Sequence, residues 1–261
     1  MGELDYEGRH KLRNHDLTIL DRFDFKYSPV GFKFLSVEGD LEGLGLERLD
    51  KRIAWCEMLA EAQKGGSFYA TAENQACEPG IFLTGHGPLI PIASSGRIGP
   101  AFEIYPDERA NRRVYEHVTM LAEGSTFATA FAPIDKLTFD PDLLIVMCDN
   151  AAQMERVLRA TQWDTGDMID SRMTYVMGCN WIFTHPFVSG GINTVWTGIC
   201  HGMKKHDAFP PMLPIISIPW HHIDRVIRNM KEMPWTMAAH SQEAEEADRR
   251  GAERLGVKGI I

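Results

Sequence analysis

Four cysteines carry the side chains and the spacing for metal or redox chemistry. Twenty residues separate Cys56 from Cys77, and twenty also separate Cys179 from Cys200. Thiolates are ligands for soft metals and for iron–sulfur clusters. Three of the four adjoin glycine or proline, in Ala76-Cys77-Glu78-Pro79-Gly80, Gly178-Cys179 and Cys200-His201-Gly202. Glycine beside a cysteine lets backbone N–H groups approach a thiolate or a cluster sulfur, and such hydrogen bonds tune the site. The spacing is not CxxC, so the short zinc and ferredoxin signatures are absent. A four-cysteine site would have to be assembled from distant segments; otherwise the thiols are inert or simply reactive. The fifth cysteine, Cys148, ends the apolar run LLIVMC. There it reads as a small core hydrophobe.

Histidines supply possible proton donors or further ligands. His86 stands between two glycines and His201 follows Cys200, so both neighbour the cysteine-bearing loops. Lys204 lies close enough to hold an anionic group, although a Lys204-Lys205 pair is also an ordinary solvated turn. His185, His221 and His222 read as surface or hydrogen-bonded residues. Thirteen Met, thirteen Phe and six Trp in 261 residues fill a core, and the same side chains could wall a pocket for a flat apolar ligand. Phe82, Trp181, Trp196 and Trp220 are the candidate wall.

The elements that must position these groups read as alternating strands and helices. A short helix is expected over 14–23 and a strand over 29–35. A long helix over 46–63 carries Cys56 and is stopped by Lys64-Gly65-Gly66. Strands follow at 67–71, 126–133, 141–148, 194–199 and 215–218. Helices are expected at 106–123, at 151–161 behind an Asp149 N-cap, and at 220–233. The glycine- and proline-rich stretch 82–100 reads as a loop near a ligand. This pattern predicts an α/β or α+β class: a mixed sheet flanked by helices, in one domain over 1–240 that could contain two similar halves. Residues 241–261 form a charged helical tail or oligomer arm.

A net charge of −9 disfavours a nucleic-acid groove, which needs a basic surface. No apolar run reaches the length of a membrane helix, and the polar opening MGELDYEGRH has no secretory h-region. A soluble cytoplasmic protein is expected. Without a secretion signal, five cysteines do not suggest a disulfide framework. GxGxxG, P-loop and GxSxG motifs are missing.

The run Cys56, Gly65-Gly66-Ser67-Phe68-Tyr69, Cys77-Glu78-Pro79-Gly80, then Cys179, Asn193 and Cys200-His201-Gly202-Met203-Lys204 resembles the DUF169 family over about residues 29–235. The resemblance places Cys56, Cys77, Cys179 and Cys200 on the family pattern and leaves Cys148 off it. It departs where Glu78 interrupts Cys-Pro-Gly, where Ile81 replaces the second glycine, and where Lys204 stands for Arg. Lys cannot reproduce the bidentate fork of Arg. The family is frequent in archaea and anaerobic bacteria, a setting that suits an oxygen-sensitive cluster.

The expected function is a cytoplasmic redox enzyme acting on a small apolar or aromatic substrate. Cys56, Cys77, Cys179 and Cys200 would hold an iron–sulfur cluster or a single metal ion. His86, His201 and Lys204 would serve the chemistry, with an electron-donor protein as partner and a homo-oligomer as the assembly. A haem or mononuclear-iron enzyme with His or Cys ligation is a second possibility. A non-catalytic redox or metal sensor is a third. No Ser, His and Asp set points to a hydrolase.

Overall fold

Five consecutive apolar residues, Leu143–Met147, form strand β5, and their alternation divides the molecule. Successive side chains on a strand point to opposite faces. Leu143, Ile145 and Met147 enter one core cluster, while Leu144, Val146 and Cys148 enter another on the far side of the sheet. A strand covered on both faces reads as a continuous apolar run rather than an alternating one. The computed structural model describes residues 15–206, 208–235 and 242–257. Asn14, the first residue of the expected N-terminal helix, and 241 and 258–261 of the expected tail lie outside them.

Seven strands make one sheet. In chain order they are β1 (Val30–Leu35), β2 (Glu47–Arg48), β3 (Phe68–Thr71), β4 (Ala128–Pro133), β5, β6 (Asn193–Trp196) and β7 (Pro214–Pro219). The spatial order is β2-β3-β4-β1-β5-β7-β6. The β2–β3 pair is parallel and the other pairs are antiparallel. Helices cover both faces, so the class is α+β with a mixed sheet.

On the first face lies helix α1 (Trp55–Gln63). Its Trp55 joins Phe32, Phe131 and Phe183 in an aromatic cluster with ring centroids 4.7–6.0 Å apart. Short helices α2 (Glu78–Leu83), α3 (Pro91–Ser94) and α4 (Ile98–Ala101) and the longer α5 (Glu108–His117) follow. The opposite face carries α6 (Ala151–Gln162) and α9 (Ile223–Glu232), whose Val157, Ala160, Val226 and Met230 pack on β5 and β7. Between them in the chain come α7 (His185–Ser189) and α8 (His201–His206); α10 (Gln242–Leu255) is the charged tail helix.

Four expectations need correction; the first is the helix expected over 106–123, which ends at His117. The long helix over 46–63 is helical only from Trp55. Residues before it are held extended: Leu49 N–H donates to Tyr69 O at 2.8 Å, and the Asn74 amide donates to Leu49 O and Lys51 O at 2.8 and 3.1 Å. Leu46, Leu49 and Ile53 therefore satisfy an apolar spacing without a helix. The stretch 82–100 is not irregular throughout, since α3 and α4 lie in it, with Pro91 at a first-turn position where its missing N–H costs nothing. The cap of α6 is Asn150, whose side chain accepts from Gln153 N–H at 3.0 Å. Asp149 instead accepts from Lys26 N–H at 2.8 Å and ties the N-terminal segment to the sheet.

Candidate functional site

Each of the four family-pattern cysteines stands at the start of a helix. Cys56 is the second residue of α1, and Cys77 immediately precedes α2. Cys179 precedes a single π-turn, Asn180–Thr184, and Cys200 precedes α8. Backbone N–H groups at helix starts point outward and favour negative charge, including thiolate. Cys56 and Cys200 are buried in the first core cluster; Cys77 and Cys179 are half-buried against it.

The π-turn widens the helix so that His185 N–H bonds back five residues, to Asn180 O. Side chains from the sheet take up carbonyls there. Asn193 donates to Trp181 O at 2.6 Å, and the Ser217 hydroxyl donates to Ile182 O at 2.7 Å. The buried Asn180 amide is in turn bonded to the backbone of Thr119. Such turns recur at functional sites. Here the turn anchors Cys179 at its N-terminal end. Gly178 allows the chain to pass over Cys200, because a β-carbon at 178 would stand 3.3 Å from Cys200 Sγ and 2.9 Å from Met203 Cε. Cys200 Sγ points at Thr174 O, 3.6 Å away.

Electrostatics link the four. Burial pushes the Cys179 thiol well above its usual range, and Cys77, Cys56 and Cys200 push it the same way. Burial raises Cys56 to about 12, with Cys77 and Glu57 adding to it. Cys200 rises to about 11 through burial, opposed by Lys204. Cys148 also reaches about 12, but through burial and Asp149, on the other side of the sheet. Left alone, Cys56, Cys179 and Cys200 stay protonated at ordinary pH, chiefly because burial disfavours their thiolates. Among the described residues, no three or more His, Cys, Asp or Glu side chains are gathered so as to hold a metal ion.

His86 lies near this region. Its ring meets Trp55 edge-to-face at 6.0 Å, and burial lowers its pKa to about 4. The imidazole is therefore neutral at ordinary pH. His201 and Lys204 lie on α8 beside Tyr175: the His201 ring is 6.4 Å from the Tyr175 ring, and Lys204 Nζ is 3.4 Å from its hydroxyl. Tyr105 completes this corner, its phenol raised by burial, Cys200 and Tyr175.

The four candidate wall aromatics do not share a wall. Phe82 and Trp181 belong to the cysteine-side core. Trp220 packs against the opposite cluster. Trp196 follows Val195, which faces the cysteine side, so strand alternation turns Trp196 away. The sequence reading missed Trp55, Gln75, Tyr105 and Tyr175. Trp55 and Gln75 were within reach as near neighbours of Cys56 and Cys77; nothing local marks the two tyrosines. A separate cleft of about 410 Å³, lined by Arg172, His185, His222 and Arg225 among others, has no cysteine in its wall.

The fold and its thiols define an α+β domain with four of the five cysteines on one side of the sheet. The chain belongs to the DUF169 family, described as uncharacterised ArCR, whose model matches residues 18–229. It is also similar to the uncharacterized protein MJ0308 of Methanocaldococcus jannaschii, at 22% identity over 198 residues, covering 74% of this chain and 83% of that protein. No solved structure matches it significantly. Among the described residues, no helix is long and apolar enough to cross a membrane.

Proposed function

We propose that Cys56, Cys77, Cys179 and Cys200 ligate an iron–sulfur cluster in a cytoplasmic redox enzyme. The observation carrying this reading is that Cys56, Cys77, Cys179 and Cys200 all belong to or pack against the core cluster on one side of the sheet, whereas Cys148 lies in the cluster on the other. A donor set of four cysteines suits such a cluster, and a cluster spreads its ligands because each sulfur can hold its own iron. The positive charge of the irons would offset the cost of ionising buried thiols, and helix-start N–H groups would donate to the sulfurs.

When bound, a cluster takes up and releases single electrons. The remaining work falls to this chain's own residues. Phe82 and Trp181 would exclude water on the cysteine side. Lys204, with Tyr175 and Tyr105 near Cys200, would face an incoming small substrate; His201 and His86 would handle protons. An electron-donor protein would be a further partner, and α10 offers a surface for a homo-oligomer.

The test is isolation of the full chain without oxygen, followed by its ultraviolet–visible spectrum and an assay of iron and acid-labile sulfide. A broad charge-transfer absorption with both elements present supports the reading. A colourless chain without iron or sulfide, even after anaerobic reconstitution, overturns it.

A further inference from the structure

Among the buried polar atoms without a hydrogen-bond partner, three come from residues that lie near one another: Trp55 Nε1, Gln75 Oε1 and His86 Nε2. Trp55 and Gln75 are both 0% exposed. Leaving one such atom unsatisfied costs about 1–3 kcal/mol, so three near one another call for a physical account. They are neighbours. A β-carbon on Gly80 would lie 3.0 Å from Gln75 Oε1 and 3.3 Å from Trp55 Cδ1, the ring carbon bonded to Nε1. The Trp55 and His86 rings meet edge-to-face at 6.0 Å.

The donor or acceptor role of each atom follows from its surroundings. An indole Nε1–H only donates. The Gln75 amide directs Nε2 toward Met58 Sδ at 4.0 Å; sulfur is only a weak acceptor, so the nitrogen belongs there and Oε1 is the atom left over. The tautomer of His86 is set by Thr84. The Thr84 hydroxyl has one hydrogen and lies 2.5 Å from Gly80 O, which can only accept. That hydrogen is committed, so Thr84 Oγ1 accepts from His86 Nδ1–H at 2.8 Å. With Nδ1 protonated and the ring neutral, Nε2 carries a bare lone pair.

We infer that Trp55, Gln75 and His86 form a binding site for a compact neutral group whose single central atom gives two hydrogens and takes one. Two acceptors and one donor specify this complement. Water has it, and so does a neutral primary amine; a carboxylate or a carbonyl does not. An ammonium would set a hydrogen against the indole N–H. Gly80 leaves space where a β-carbon would crowd both Gln75 and Trp55. The inference does not depend on what the cysteines bind.

The test uses the full chain labelled with ¹⁵N at tryptophan and histidine. Trp55→Phe identifies the Trp55 indole signal. The expected result is an indole N–H at a hydrogen-bonded shift, a His86 ring protonated at Nδ1, and movement of the Trp55 signal in Gln75→Met. Methoxyamine, a primary amine that is neutral at neutral pH, separates the two sources. A saturable shift of the indole signal, abolished in Gln75→Met, assigns the site to an amine; no shift, with the hydrogen-bonded position kept, assigns it to water. An indole at the position of an unbonded N–H, or a His86 ring protonated at Nε2, overturns the inference. Should Gln75→Met fail to fold, the tautomer and the wild-type indole shift still decide. Iron and sulfide measured on the same sample keep this outcome distinct from that of the cluster proposal.

Discussion

Gly178 lies directly against Cys200: a β-carbon at 178 would be 3.3 Å from Cys200 Cβ and from Sγ. The glycine is thus what lets the segment entering Cys179 close over a second thiol. Adding one carbon overpacks this contact, and overpacking a well-filled core costs about 1–3 kcal/mol. Gly178→Ala is expected at the low end of that range because the nearest atom, Met203 Cε, is the tip of a flexible side chain. Gly178→Val is expected at the high end. Urea unfolding of the two variants checks the order, and equal stability of both with the parent would contradict it.

Exposure separates the cysteines kinetically. Cys77 and Cys179 are half-buried, whereas Cys56, Cys148 and Cys200 are buried. In metal-free folded protein, an alkylating reagent should label 77 first; 179, whose thiol burial holds protonated, should follow, and the other three should react at the rate of unfolding. Burial and neighbouring thiols raise Cys179, so its labelling should rise steeply toward alkaline pH. Mass spectrometry of timed samples reads this directly. Early labelling of Cys148 would show that β5 is not covered as described.

The depressed pKa of His86 fixes the sign of a pH effect. Its folded value is about 4, against 6.5 for the ordinary side chain. Between these values the unfolded chain binds the proton and the folded chain does not, so stability rises with pH across that window. The contribution is complete above about 6.5 and is lost as pH falls toward 4. His185 and His222 are lowered by burial as well and add in the same direction. His86→Gln should therefore flatten the slope of unfolding free energy between pH 4 and 6.5 without abolishing it. An unchanged slope would mean that His86 titrates normally.

Asn74 holds together what the local sequence does not. Its amide donates to Leu49 O and Lys51 O, and its oxygen accepts from Thr71 N–H at 3.0 Å. Asn74→Ala leaves buried backbone groups unsatisfied, at a cost of about 1–3 kcal/mol each before relaxation. A loss in that range by chemical denaturation is expected, with hydrogen exchange speeding up first at residues 49–53.

The same contact explains where reading the sequence stopped. Leu46, Leu49 and Ile53 have helical spacing, but the hydrogen-bond partners of Leu49 and Ile53 lie twenty or more residues downstream, in Tyr69 and Asn74. Spacing reports which residues are apolar, not which carbonyls are already taken. The run at β5 was legible because a doubly covered strand needs apolar residues at every position, and its Cys148 was sorted correctly for that reason. The neighbourhood of Cys56, Cys77, Cys179 and Cys200 depends on the strand order, with β1 brought between β4 and β5, and no local pattern encodes that order. Trp196 and Trp220 were grouped with Phe82 and Trp181 by chemistry alone, and the sheet lies between them.

The most direct measurement is iron and acid-labile sulfide per chain in anaerobically isolated protein, comparing Cys179→Ser with Cys148→Ser. The two thiols are both strongly raised by burial, but only Cys179 shares its surroundings with the other three family-pattern cysteines. The account predicts that Cys148→Ser retains the parent's iron and sulfide, while Cys179→Ser loses most of both and remains folded by circular dichroism. Equal content in the two variants, or none in the parent, would contradict it.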